Sequence, residues 1–314
     1  MRLKFGQAVL IVVAAVVAGL SIAGLVDNAK LFFTTALNGL TVAALYFLVA
    51  SGFTLVFGLM RNVNLAHGSL YLLGGYIGYS AGEASGSWVI AVAAGFAAVA
   101  LVGLLLQVLI FRHMEGQDLR QTLVTIGLSI VLADLMLWIW GGQTYQFDPP
   151  EWLSGSMPMV FIHRYPTFRI AVLVSSIVIG AALWLFLNRT RVGMMIRAGV
   201  DDREILSASG INVHLVFAIT FAIGAGLAGL AGVIGGTTLS ISPGEDMRYL
   251  LASLVVVIVG GMGSIVGAAI GALLIGVTEQ FGLAYASTYG IVFTFVIMVL
   301  VLAFRPQGIM GKSA

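Results

Sequence analysis

Residues 249–283 read YLLASLVVVIVGGMGSIVGAAIGALLIGVTEQFGL, and their reading decides the fold. The run is almost wholly apolar and too long for one ordinary membrane span, which needs about 20 residues. Its middle, Gly260-Gly261-Met262-Gly263-Ser264, offers a break, because glycine costs ~1 kcal/mol against alanine inside a helix. The alternative is a single long tilted helix that tolerates its glycines. Beyond the break, Gly263, Gly267 and Gly271 fall four apart with Ala268 and Ala272 beside them, so one helical face is small. Such faces let helix backbones approach closely in lipid, where apolar side chains gain little by leaving the solvent.

The rest of the chain has the same character. Of its 314 residues 60% are hydrophobic and only 9% charged, and the mean hydropathy is +1.07. An ordinary soluble domain carries about 25% charged residues. This composition excludes a soluble enzyme, a nucleic-acid binder and a disordered protein. A net charge of +2 gives no reason to invoke a polyanionic partner, and the lack of cysteine excludes disulfides, thiolate metal sites and cysteine nucleophiles.

Working outward, further apolar runs lie at 5–26, 31–60, 65–81, 88–111, 123–140, 168–187, 215–236 and 291–304. With 249–283 split in two, the expectation is an all-α polytopic transmembrane bundle of about ten spans, some broken or short, forming a single domain over 1–314. Ten spans put both termini on one side. That side then carries Arg2, Lys4, Arg61, Arg112, Arg120, Arg189, Arg191, Arg197, Arg203, Arg305 and Lys312. The other side keeps only Lys30, Arg164, Arg169 and Arg248. The positive-inside rule makes the first side cytoplasmic, with the loop 188–212 on it and the loop 141–166 opposite. The run 5–26 starts like a signal peptide. It is longer than the usual apolar region of about 7–15 residues, so an uncleaved extra N-terminal helix is expected.

Catalytic chemistry has little support. His67, His113, His163 and His214 are scattered near span boundaries, and no HExxH, GxSxG or Walker A pattern occurs. Within the spans Asp134, in 123–140, is the one deeply placed charge, with a structural partnership and a functional role both open. The polar break Arg61-Asn62-Val63-Asn64-Leu65-Ala66-His67-Gly68-Ser69 reads either as a tight hairpin or as a broken helix beside a transport path. Gly260, Gly261 and Gly263 in the second break are its counterpart. Path candidates are therefore Asn64, His67, Gly68, Asp134, Gly260, Gly261 and Gly263.

In 188–212, Asp201, Asp202 and Glu204 suit the first turn of a short helix over 199–210, where the macrodipole favours acids, and Gly210 suits its end. An amphipathic helix there fits docking into a groove on a cytoplasmic partner, and a solvated loop is the plainer alternative. On the far side, Asp148, Glu151, Arg164, Glu245, Asp246 and Arg248 gather in the two outer loops and would meet a docking protein.

The segment with Arg197-Ala198, Asp201-Asp202, Ala208 and Gly210-Ile211-Asn212 resembles the cytoplasmic coupling loop of bacterial ABC-importer permeases for branched-chain amino acids. Three more blocks are similar to that family: Asn38-Gly39-Leu40 through Phe57-Gly58-Leu59 to Val63-Asn64-Leu65-Ala66-His67-Gly68, then Val259-Gly260-Gly261-Met262-Gly263-Ser264 with Gly267, then Arg305-Pro306-Gln307-Gly308. Together they cover residues 33–311. Residues 1–30 precede the usual start, and Ser69 stands where many members carry an acid. The resemblance implies a non-catalytic subunit in the bacterial inner membrane, with Arg197, Ala198, Asp201, Asp202, Glu204, Ala208 and Gly210 coupling it to ATPases. Its implied partners are a second homologous permease or another copy of itself, two cytoplasmic ATPases that hold the ATP and magnesium, and a periplasmic binding protein. This chain then needs no cofactor. Branched-chain or other small apolar amino acids are the expected cargo; urea, short amides and small organic acids are alternatives, as is a stand-alone ion-coupled carrier.

Overall fold

The computed structural model describes residues 28–60, 63–114, 116–159 and 162–311, and eleven α-helices carry the fold among them. They are α1 (Ala29–Met60), α2 (His67–Ser85), α3 (Trp88–Leu109), α4 (Asp118–Trp140), α5 (Thr167–Arg189), α6 (Arg191–Asp201), α7 (Arg203–Ala208), α8 (Val213–Leu239), α9 (Asp246–Gly260), α10 (Ile265–Tyr285) and α11 (Gly290–Phe304). Six of them, α1, α3, α4, α5, α8 and α10, are long and apolar enough to cross a membrane. The 19-residue α2 is rich in glycine, and the 15-residue α9 and α11 reach only about 22 Å each, short of a hydrocarbon core of about 30 Å. The ten expected spans thus resolve into six full-length helices and three shorter ones. The tenth, 5–26, lies outside the described residues.

The run 249–283 is broken where its glycines suggested. Helix α9 ends at Gly260, α10 begins at Ile265, and the two run antiparallel. The turn uses Gly261 (φ 109°) and Gly263 (φ 79°), both in the left-handed region that suits glycine. Ser264 closes it by accepting the Gly267 N–H on its Oγ at 3.0 Å. A Cβ at Gly267 would strike the Gly260 carbonyl, and one at Gly271 the Val256 carbonyl. The small face seen in the sequence therefore sets the contact between α9 and α10.

Helix α8 is the axis of the bundle. Its small residues let α1, α2 and α3 close around it: Gly224 meets Gly52, Gly229 meets Gly74 and Gly95, and Gly232 meets Tyr71. Helix α10 packs against α1 through Gly276 on Ala43 and Val277 on Gly39. Helix α4 rests chiefly on α2 and leaves Leu123, Ile126, Ile130 and Trp138 exposed, as expected of a helix whose other neighbour is lipid or protein.

The polar connection 141–166, expected as an outer loop, contains a small antiparallel hairpin, β1 (Ser156–Met159) and β2 (Ile162–Pro166). Strands of four and five residues containing Pro158 and Pro166 are too short to show alternation. The hairpin is tied to α1 by Tyr165 Oη, which donates to Asn38 Oδ1 at 3.2 Å, and the Arg169 guanidinium in the first turn of α5 donates to the same atom at 2.6 Å. Below, this end is the hairpin end, and the end bearing α6 and α7 is the basic end.

Candidate functional site

The first break turns the chain back into the bundle. After Met60 the chain re-enters, and Asn64 holds the bend: its side-chain oxygen accepts the Ala66 N–H at 3.1 Å and its carbonyl accepts the His67 N–H at 3.2 Å. Leu65 N–H donates to Thr125 Oγ1 at 3.2 Å, and Ser69 Oγ lies 3.3 Å from the Ser129 carbonyl. Those partners sit 7 and 11 residues into α4, so α2 begins about 10–17 Å along a helix of about 35 Å. Its N-terminus is inside the layer that α4 spans.

A second helix starts at the same place. From Ser240 the chain descends past Gly75, whose neighbour is the fully buried Ile241, and α9 opens at Asp246. Ser69 Oγ donates to Asp246 Oδ2 at 3.0 Å, and a Cβ at Gly68 would strike the Asp246 carbonyl. The sequence named Gly68 for one role and Asp246 for another; the structure brings these two together. His67 is fully buried, donates from Nε2 to the Val49 carbonyl at 3.0 Å and packs edge-on against Phe53. One turn further, Tyr71 and Tyr249 pair with ring centroids 4.0 Å apart. Each helix N-terminus concentrates partial positive charge, and Asp246 answers both.

Around this junction lies a charge that sequence reading missed. Glu279 on α10 is 8% exposed and accepts a 2.7 Å bond from Tyr46 Oη of α1. Its position could have been read from period: Ala268, Ala272, Ile275, Glu279 and Gly282 all lie on the buried face of α10. Asp134, by contrast, is exposed on α4 and away from the buried core. The reading of Asp134 as the one deeply placed charge is therefore corrected. Arg248 pairs loosely with Glu245 at 3.8 Å on the exposed side of α9. Asp148, Glu151 and Arg164 are exposed at the hairpin end, and Tyr145 in the same loop pairs with Ile241 just ahead of Glu245.

The second break sits at the basic end and gathers three of the four sequence blocks. A Cβ on Gly58 would lie 3.2 Å from the Gly263 Cα. The C-terminal segment lies over α9: Ile309 N–H donates to Val259 and Met310 N–H to Gly260, each at 2.9 Å, and Gly308 (φ 79°) presses on Gly261. Arg305 holds that segment folded by donating to the Ile309 carbonyl at 3.0 Å.

The fourth block adjoins them. The expected single helix over 199–210 is instead two helices, α6 and α7, separated by extended backbone at Asp202 (φ −154°, ψ 114°). Asp201 therefore ends one helix and Glu204 falls in the next, so the acids do not share a first turn; this corrects the expectation. Gly210 does end the segment, with φ 77°. Helix α6 lies with Ile196 buried and Met194, Arg197 and Ala198 exposed, and Arg197 donates to Asn188 Oδ1 at 2.7 Å. Gly193 lets it fold back on Phe186 and Leu187, and Val200 reaches Gly58. Ala208 is exposed on α7. Contacts thus run from an exposed surface segment through α1 to the α9–α10 turn.

Comparison with known proteins matches residues 35–302 to a family described as "Branched-chain amino acid transport system / permease component". The chain is 33% identical over 292 residues to the high-affinity branched-chain amino acid transport system permease protein BraD of Pseudomonas aeruginosa, covering 88% of this chain and 94% of that one. It is 31% identical over 297 residues to LivH of Salmonella typhimurium, with 90% and 96% covered. Similarity extends to the ribose import permease protein RbsC of Escherichia coli, at 29% over 253 residues, 73% of this chain and 71% of that one. No solved structure matches.

Proposed function

The chain belongs to the permease-component family of branched-chain amino acid transport systems, and from that premise we propose that it is the membrane subunit of an ATP-driven importer for branched-chain or other small apolar amino acids. It pairs with a second homologous permease or a second copy of itself. Two cytoplasmic ATPases supply the work, and a periplasmic protein delivers the cargo. The basic end is cytoplasmic, both termini lie there, and α2, α9 and α11 complete the ten crossings together with 5–26.

One observation carries the mechanism: the exposed segment α6–α7 touches the inner end of α1 at Gly58, which touches the α9–α10 turn at Gly263. A push on that segment from an ATPase is transmitted by packed backbone, because glycine contacts leave no compressible side chains between the helices. The far end of α9 is Asp246, at the mid-depth junction with α2, where two helix N-termini, Ser69 and the Tyr71–Tyr249 pair meet. Broken helices at mid-depth are where transporters expose backbone groups to cargo. Alternating access is the opening of this junction, first to the hairpin end and then to the basic end.

The test is uptake of radiolabelled leucine by proteoliposomes holding the chain, its second permease, the ATPases and the binding protein. ATP-dependent leucine uptake that urea and ribose do not compete away supports the proposal. Uptake that needs no ATPase chain, or cargo other than an apolar amino acid, overturns it.

A further inference from the structure

Opposite charges come together at mid-depth without pairing. Glu279 on α10 is 8% exposed, and one of its carboxylate oxygens is bonded, by Tyr46 Oη of α1 at 2.7 Å. The other oxygen has no hydrogen-bond partner among the described residues and keeps some access to solvent. Arg248, in the first turn of α9, interacts electrostatically with both Glu279 and Tyr46. Its one ion pair among the described residues is the loose contact with Glu245 at 3.8 Å. A guanidinium and a carboxylate that feel each other and do not touch leave a gap between opposite charges.

Depth gives that gap a meaning. At 1.5 Å per residue from the basic ends of their helices, Tyr46 and Glu279 each stand about 21 Å up and Arg248 about 18 Å up, well inside the layer these helices cross. Met247, Arg248 and Leu251 form one exposed stripe on α9. A charge at that depth is costly against lipid and faces protein or a watery path instead. The stripe therefore lies on the path side of α9, with Leu251 supplying an apolar patch one turn from Arg248. An amino acid matches this pattern, because it carries an ammonium, a carboxylate and an apolar side chain on one carbon. Urea and short amides carry neither charge, and a small organic acid carries only one.

We propose that Arg248 and Glu279 hold the zwitterionic end of the cargo in transit, Arg248 taking its carboxylate and the free oxygen of Glu279 its ammonium. Tyr46 fixes the Glu279 carboxylate, and Leu251 lies beside the cargo side chain. The proposal rests on the importer reading and narrows it: the membrane subunit itself selects for a zwitterion, whatever the binding protein delivers. Arg248 then belongs to the path rather than to the surface that meets the binding protein.

The experiment measures leucine moved per ATP hydrolysed in proteoliposomes holding the complete complex. Arg248→Gln and Glu279→Gln should each lower that ratio about tenfold, the loss of one charge-assisted hydrogen bond. Assembly, and stimulation of hydrolysis by loaded binding protein, should be retained in both. Arg248→Lys keeps the charge and should stay within about threefold of the unsubstituted complex. Should Glu279→Gln fail to fold, the two substitutions at the exposed Arg248 still decide the matter. An unchanged ratio in either Gln variant, or Arg248→Lys as poor as Arg248→Gln, would overturn the site. So would loss of stimulation in Arg248→Gln, which would return that residue to the docking surface. If the unsubstituted complex shows no ATP-dependent leucine uptake, the importer reading itself fails and this site with it; normal uptake there with insensitive variants removes the site alone.

Discussion

The two breaks in this chain do the same thing to the backbone by opposite means. The break before α2 is held by side chains: Asn64 on Ala66, Ser69 on Asp246, His67 on Val49. The break between α9 and α10 is held chiefly by the lack of them: Gly58, Gly260, Gly261, Gly267 and Gly308 let four backbone stretches touch. Hydrogen bonds can exchange partners at small net cost, since each contributes only ~1 kcal/mol. Steric fit of backbone on backbone either exists or does not. We read the polar junction as the part that opens and the glycine junction as the joint that must stay closed while force passes through it.

The largest expected effect comes from the glycine junction. In Gly260→Val the new side chain meets the Gly267 carbonyl with no space to give. Overpacking of this kind costs ~2 kcal/mol or more, and here it should also lower the thermal midpoint of the purified subunit and abolish uptake. A folded variant with normal uptake would mean that the joint is soft.

A middle-sized effect is expected from the polar junction. Ser69→Ala removes the bond to Asp246 and leaves a partly buried carboxylate without that donor, a loss of ~1–3 kcal/mol local to the junction. Insertion, assembly and basal ATP hydrolysis should be retained while leucine uptake falls severalfold. Equal loss of assembly and uptake would erase the distinction between the two breaks.

Smaller effects should follow at their margins. Glu279→Gln keeps an acceptor for Tyr46 and should shift the thermal midpoint little, whereas Glu279→Leu strands a buried hydroxyl and should cost ~1–3 kcal/mol. If the two variants behave alike, the Tyr46 bond does not hold α1 against α10. Arg305→Ala, which removes one bond to Ile309 at the surface, should cost ~1 kcal/mol at most in the same measurement.

Much of this was legible in the residues, for reasons that differ by element. Span positions follow from hydropathy, since lipid leaves a helix few polar options. The 260–264 break follows from glycine's helix penalty, and the small face of α10 from the four-residue spacing of Gly263, Gly267 and Gly271. Both breaks were visible one by one. Their environments were not, because pairing Ser69 with Asp246 joins residues 177 apart, and no local signal encodes such a contact. Glu279 was hidden inside an apolar run whose period was read for glycines alone, while Asp134 drew attention by sequence depth that says nothing about which face it occupies. The division of the coupling segment at Asp202 escaped because acids suit a helix start, and the same acids can equally end one helix and begin another.

The central claim is that α6–α7 is the surface through which ATPase motion reaches the breaks. Ala208 is exposed on α7, outside every long apolar helix, so Ala208→Trp adds bulk to that surface without altering a span. The measurement is leucine uptake and ATP hydrolysis by the reconstituted complex carrying this substitution, with assembly followed by pull-down of the ATPase chains. The account predicts an inserted, folded subunit whose uptake is lost and whose hydrolysis no longer responds to loaded binding protein. Full assembly with wild-type uptake would contradict it.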